Sequence, residues 1–135
     1  KRAVITAGMP YGNKNLHFGH VGGMFVHADI FARFLRDRIG KENVIFLSGT
    51  DCYGSPIQES YRKRKEAGYE GGLEDYVAAN HESQKKTLED YGISLDYFGA
   101  CAGGGRRDPQ AAVRGDFPQA LREWLYRKAV RAPVL

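Results

Sequence analysis

The sequence predicts an α/β fold with a parallel sheet and flanking helices, and three observations carry that expectation. Ala3-Val4-Ile5-Thr6-Ala7 is an apolar run that reads as a strand, and Val44-Ile45-Phe46-Leu47 is a short continuous apolar run, the pattern of a parallel strand covered on both faces. Between them, apolar residues recur at helical spacing. Strand, helix and strand within about 45 residues make a βαβ unit with a right-handed crossover.

Each element has its own signal. The first strand, Ala3–Ala7, runs into a glycine-bearing turn, Gly8 to Lys14, and then into a helix. That helix places Val21, Met24, Phe25, Ala28, Ala32 and Leu35 along one side, with Asp29, Arg33 and Arg36 expected opposite, and Gly40 is a natural stop. After the second strand, Ser55-Pro56-Ile57-Gln58 reads as an N-cap, a proline at the first helical position and a glutamine closing a capping box. The helix it opens should reach about Gly68. Another helix is expected from Leu73 to Tyr91, with Leu73, Tyr76, Val77, Gln84, Leu88 and Tyr91 on one side. Gly103-Gly104-Gly105-Arg106-Arg107-Asp108-Pro109 is loop-like, and Phe117, Ala120, Leu121, Trp124 and Leu125 restore a helical stripe. The order is therefore strand, helix, strand, helix, helix, loop, helix.

Composition narrows the class. The chain has 135 residues, enough to bury one core, and its 42% hydrophobic and 27% charged residues are ordinary for a globular protein. No apolar run is long enough to cross a membrane. The chain starts at Lys1 with no signal peptide before the first strand, so a partial chain of a cytoplasmic protein is expected. A net charge of +4 is compatible with RNA contact without arguing for it, since no basic stripe interleaves with aromatics. Arg62-Lys63-Arg64-Lys65-Glu66 lies mid-helix, where its charges fan around the axis as a solvated face. Cys52 and Cys101 lack CxxC spacing, so neither a metal site nor a disulfide is expected.

The chemistry concentrates in Pro10-Tyr11-Gly12-Asn13-Lys14-Asn15-Leu16-His17-Phe18-Gly19-His20. A helix start offers unpaired N–H groups and partial positive charge to an anion. His17 and His20, three apart, share one side of the first turn, and each imidazole can donate to a phosphate oxygen. Gly19, without a Cβ, lets a ligand approach the backbone. Asp51 closes the second strand, at the edge where open α/β sheets bind ligands, and an ionised carboxylate there suits a substrate ammonium group. A plain surface pair of histidines and an aspartate bonded within its own turn are the structural alternatives. His27 and His81 are lone features, expected to be packed or at the surface.

These residues carry a resemblance. Gly8-Met9-Pro10-Tyr11-Gly12-Asn13 through His17-Phe18-Gly19-His20 is similar to the signature of class I aminoacyl-tRNA synthetases. Ser48-Gly49-Thr50-Asp51-Cys52-Tyr53-Gly54-Ser55-Pro56-Ile57 and Ser94-Leu95-Asp96-Tyr97-Phe98 most resemble the methionyl branch. The resemblance covers about Lys1 to Gly99 and implies half of a Rossmann-like sheet of the HIGH-type nucleotidyltransferases. It implies ATP-dependent activation of methionine followed by aminoacylation of tRNA, with His17 and His20 catalytic. ATP, with Mg2+, would be bound by Pro10, His17, Gly19 and His20, and methionine by Met9, Tyr11 and Asp51. The implied organisation is 1–99 as the first half of the catalytic domain, 100–116 as a loop and 117–130 as a terminal helix of that domain.

The chain also departs from that pattern. No Lys-Met-Ser-Lys-Ser-like string occurs, the cysteine pairs of a zinc insertion are absent, and tRNA contact is left to parts not in this chain. Tyr53 stands where the methionyl enzymes usually carry histidine, and Cys101 where threonine is usual. The isolated chain is therefore expected to be nearly inactive and prone to self-association through an exposed sheet edge. Two further readings stay open: an HxGH nucleotidyltransferase acting on another acceptor, and a non-catalytic synthetase-like binding module.

Overall fold

Two apolar runs pair side by side, the second buried on both faces and the first on one, with Val4 and Thr6 exposed. In the computed structural model, which describes residues 1–100 and Glu123, β1 (Ala3–Thr6) lies parallel to β2 (Val44–Thr50), with Ala3 opposite Val44 and Thr6 opposite Leu47. A third strand, β3 (Tyr97–Ala100), pairs parallel with the far half of β2, Leu47 opposite Tyr97 and Thr50 opposite Ala100. The sheet order is β1-β2-β3. The sequence reading missed β3, since four residues including Gly99 are too few to show a period.

The connections are helical. α1 (Phe18–His20) runs through a wide π-type stretch, Val21–Phe25, into α2 (Val26–Ile39). The uninterrupted α-helix expected here is thus broken at its glycine pair, Gly22-Gly23, where helix propensity is weakest. Gly40, at φ 91°, ends α2 as expected. α3 (Ser55–Glu66) and α4 (Leu73–Asp90) follow β2. The expected capping box at Ser55 does not form. Gly54, at φ 110°, takes the cap position, Ser55 and Pro56 are the first two helical residues, and no side chain caps the helix. Along α4, Val77, Gln84 and Leu88 are buried as expected, but Leu73 and Tyr91 at the two ends are exposed. The loop and terminal helix expected over 100–116 and 117–130, and Cys101 with them, lie outside the described residues except for Ala100, which ends β3, and Glu123.

The core joins Ile5, Phe25, Ala32, Val44, Phe46 and Leu88, with Phe98 meeting Phe25 edge to face at 6.4 Å. A second cluster holds the buried Cys52 against Ile57 and Val77. Asp29 corrects the sequence reading, which set it on the solvent side. It shares a helix face with Phe25 and Ala32 and is buried between them. Ser94 donates its N–H (2.7 Å) and its hydroxyl to Asp29 Oδ1, and Arg33 Nε donates to Oδ2 at 2.7 Å. Burial works against ionisation of Asp29, but these bonds outweigh it and hold the carboxyl below its usual range.

Arg36, also assigned outward, instead donates to Ser94 Oγ, to Ser94 O and to Asp96 Oδ2. Asp96 exchanges bonds with Phe46 of β2: Phe46 N donates to Asp96 Oδ2 at 2.8 Å and Asp96 N to Phe46 O at 2.9 Å. The segment Ser94–Phe98 is therefore a clamp between α2 and the sheet.

β2 and β3 touch most closely at Gly49, where an added Cβ would sit 2.5 Å from the carbonyl oxygen of Gly99. Backbone cannot rotate away as a side chain can. Gly49→Ala is expected to lower stability by about 1–3 kcal/mol through overpacking, read as a shifted urea midpoint. An unchanged midpoint would contradict that contact.

Candidate functional site

The chain leaves β1 and rejoins β2 beyond its last paired residue. Ala7 N donates to Leu47 O at 3.1 Å; then Asp51 N donates to Pro10 O at 2.8 Å and Gly12 N to Asp51 O at 2.7 Å. Tyr11 and Asp51 thereby stand opposite one another in a parallel bridge at the carboxyl end of the sheet. Pro10 is buried, while Met9 and Tyr11 are about half exposed, at 50% and 47%. The Met9 methyl lies 3.3 Å from where a Cβ on Gly49 would be, and Tyr11 Cε1 lies 3.9 Å from that of Gly54. Asp51 Oδ1 accepts from Tyr53 N at 3.1 Å, the turn contact that was the structural alternative for this residue. Its Oδ2 has no hydrogen-bond partner among the described residues.

His17 and His20 build a reciprocal cap. His17 is the N-cap residue of α1, and its Nδ1 accepts from Gly19 N at 3.1 Å. His17 N donates to His20 Nδ1 at 3.3 Å, and the two rings lie 3.9 Å apart between centroids. Both Nδ1 atoms are acceptors, so each neutral ring carries its proton on Nε2, and no described residue occupies that atom. Burial, then His17 and Lys14, lower the proton affinity of His20 from the usual imidazole value. This arrangement corrects one expectation. His20 N and Val21 N both bond His17 O, at 2.9 and 3.2 Å, so most amides of the first turn are already used. The imidazole Nε2–H groups, more than the backbone, are the donors left for an anion. A Cβ at Gly19 would come within 2.9 Å of the His17 ring, so glycine at this position leaves room for the cap itself.

The lone features fall as expected. His27 is exposed, and Arg62 and Lys63 pair with Glu59 and Glu66 on an open helix face. His81 is packed, stacked on Phe98 at 5.3 Å with 4° between planes, and its Nδ1 lies 2.8 Å from Thr50 Oγ1. Burial lowers its affinity for a proton most, Glu82 opposes this and Lys85 adds to it, and the net direction is down from 6.5. The unfolded chain therefore binds more protons here, and the stability His81 contributes is present above 6.5 and is lost as pH falls through its lowered value. His20 acts with the same sign. Urea midpoints are expected to drop on acidification below 6.5, with a shallower slope in His81→Asn; an equal slope would contradict this.

Three residues supporting the site escaped the sequence reading. Gln84, Thr50 and Tyr76 meet the 11–14 turn or the strand end beside it through polar contacts. A lone amide in an otherwise apolar helical stripe was the available signal for Gln84. Among the described residues, no three His, Cys, Asp or Glu side chains converge as a metal site, and no helix is long and apolar enough to cross a membrane.

A family model described as tRNA synthetases class I (M) matches residues 3–112. The chain is 44% identical over 98 residues to a methionine–tRNA ligase of Thermococcus onnurineus, covering 73% of this chain and 12% of that protein. It is 40% identical over 100 residues to the methionine–tRNA ligase of Bacteroides fragilis, covering 73% and 13%, and 39% identical over 97 residues to that of Chlamydia caviae, covering 72% and 16%. Among solved structures it is similar to the Mycobacterium tuberculosis methionyl-tRNA synthetase in complex with methionyl-adenylate, with a TM-score of 0.63, 28% identity, and coverage of 73% of this chain and 18% of that one. The chain thus spans 12–16% of the length of these curated relatives.

Proposed function

The chain belongs to the family of class I tRNA synthetases (M), and from that membership we propose that it carries the methionine- and ATP-binding half of an amino-acid activation site. In the reaction, a carboxylate oxygen of methionine attacks the α-phosphorus of ATP. The bond from that phosphorus to the bridging oxygen breaks, and pyrophosphate leaves with the electron pair. No proton moves, because the attacking carboxylate is already ionised.

Each residue has a task in this reading. Asp51 Oδ2 accepts from the ammonium of methionine, while Met9 and Tyr11 flank its side chain. His17 and His20 donate Nε2–H bonds to phosphate oxygens as negative charge shifts toward the leaving group. Pro10 and Gly19 shape the backbone around the nucleotide. The observation that supports this most is the reciprocal cap, which occupies both Nδ1 atoms and fixes where the two remaining donors lie. ATP enters as its Mg2+ complex; none of the described side chains forms a cage for the ion, so it is assigned no residue here. Transfer to tRNA would use parts outside these residues, in the cytoplasm where charged tRNA is consumed.

The 135 residues alone are expected to give little or no methionine-dependent ATP–pyrophosphate exchange, since no lysine-rich phosphate loop is present in them. They are also expected to self-associate through the outer edge of β1 and the exposed Ile30, Phe31 and Phe34 of α2. Robust exchange by the purified chain that disappears in His20→Ala, or a monomer at micromolar concentration by sedimentation, would contradict these two expectations.

A further inference from the structure

The turn that carries Tyr11 and leads to His17 is held mainly from α4, with Asn13 Nδ2 also donating to Ser60 Oγ of α3 at 3.2 Å. Gln84 of α4, fully buried, donates Nε2–H bonds to Tyr11 O at 2.8 Å and to Lys14 O at 2.9 Å. Two turns earlier, Tyr76 donates its hydroxyl to Asn13 O at 2.6 Å, and Ser83 Oγ donates to Asn15 Oδ1 at 2.9 Å. Both partners of Gln84 Nε2 are carbonyls, so the amide has one orientation, and its Oε1 accepts from Thr50 Oγ1 at 2.8 Å. Thr50 precedes Asp51 in β2, so a single amide couples the strand end bearing the carboxylate to both ends of the 11–14 turn. A buried amide costs more than a leucine of like size unless all its bonds are made, and here they are.

We propose that Gln84 is a positioning residue for activation: it sets the spacing between the amino-acid side at Tyr11 and Asp51 and the nucleotide side at His17 and His20. It acts through the peptide groups of Tyr11 and Lys14 and touches neither ligand. The proposal rests on the functional reading above. A displacement of about 1 Å in such a turn suffices to cost much of the benefit of orientation.

The test uses the native gene product that carries these residues. Gln84→Met keeps the volume and removes the bonds. Amide hydrogen exchange over residues 10–15 is expected to rise at least about tenfold, while peptides over 44–47 stay protected. In ATP–pyrophosphate exchange, KM for methionine and for ATP should both rise roughly tenfold along with a lower kcat, whereas a purely structural loss of folded protein would leave KM unchanged. Lys86→Ala, on the exposed side of α4, should change neither readout. Thr50→Val, which removes the anchor of the amide together with the contact to His81 Nδ1 but leaves both carbonyl bonds of Gln84, should open residues 10–15 less, and the double variant no more than Gln84→Met alone. Unchanged protection and KM in Gln84→Met overturn the proposal. If that variant does not fold, unchanged protection of residues 10–15 in Thr50→Val overturns it. Absence of methionine-dependent exchange in the unsubstituted protein would sink the functional reading instead, and the hydrogen-exchange arm would still decide whether Gln84 holds the turn.

Discussion

His20→Ala in the native gene product is expected to lower methionine-dependent ATP–pyrophosphate exchange by about 100- to 1,000-fold, equivalent to about 2.7–4 kcal/mol of transition-state stabilisation, as for loss of one preorganised donor to a developing charge. The geometry raises the effect above that of a lone surface histidine. His20 Nδ1 also accepts the His17 N–H, so removing the ring takes away one donor and loosens the cap that orients the other. The loss should fall on kcat more than on KM, because charge on the phosphate oxygens builds up after binding. His20→Asn, which keeps a side-chain acceptor for the cap, should recover part of the rate. Activity within threefold of the unsubstituted protein would remove His20 from the reaction.

Asp51→Asn is expected to act on the other ligand. Replacing a charged acceptor by a neutral amide should raise KM for methionine by about 10- to 150-fold, the roughly 1.5–3 kcal/mol of a hydrogen bond to a charged group, and leave KM for ATP nearly unchanged. The residue is well suited to so clean a separation. Among the described residues Oδ1 alone is engaged, by Tyr53 N, and asparagine can keep that bond through its own carbonyl oxygen. A KM for methionine that does not move would return Asp51 to the role of a turn residue.

How legible the sequence was depends on the signal each residue carried. β1, β2 and the four-turn helix between them followed from apolar runs and periodicity; burial on both faces leaves a run such as β2 little choice, while β1 is buried on one face only. β3 was hidden by its length. Asp29 and Arg36 were placed outward because charge ordinarily marks the solvent side; their partners, Ser94 and Asp96, lie some sixty residues away in the chain, and no local pattern announces such a pairing. Ser55 lost its capping role for a local reason, since Gly54 reaches a positive φ that makes the turn one residue earlier.

The candidate site was partly legible. The spacing of His17 and His20 foretold that their rings would share a turn. It did not foretell that the rings would take up the amides of His17 and Gly19, which depends on the extended backbone of His17 at φ −112° and ψ 171°. Tyr11 and Asp51 were expected at one edge because both follow parallel strands, and the bridge between them is the local form of that expectation. Gln84 was seen as part of a buried stripe and not as a polar clamp, because its partners are backbone carbonyls, which every residue has.

Whether this chain contributes to activation of methionine is tested most directly by ATP–pyrophosphate exchange with the native gene product, run separately with each standard amino acid. Exchange should depend on methionine, stay near background with the others, and fall with His20→Ala. Exchange supported equally by a different amino acid, or methionine-dependent exchange that His20→Ala leaves intact, would contradict it.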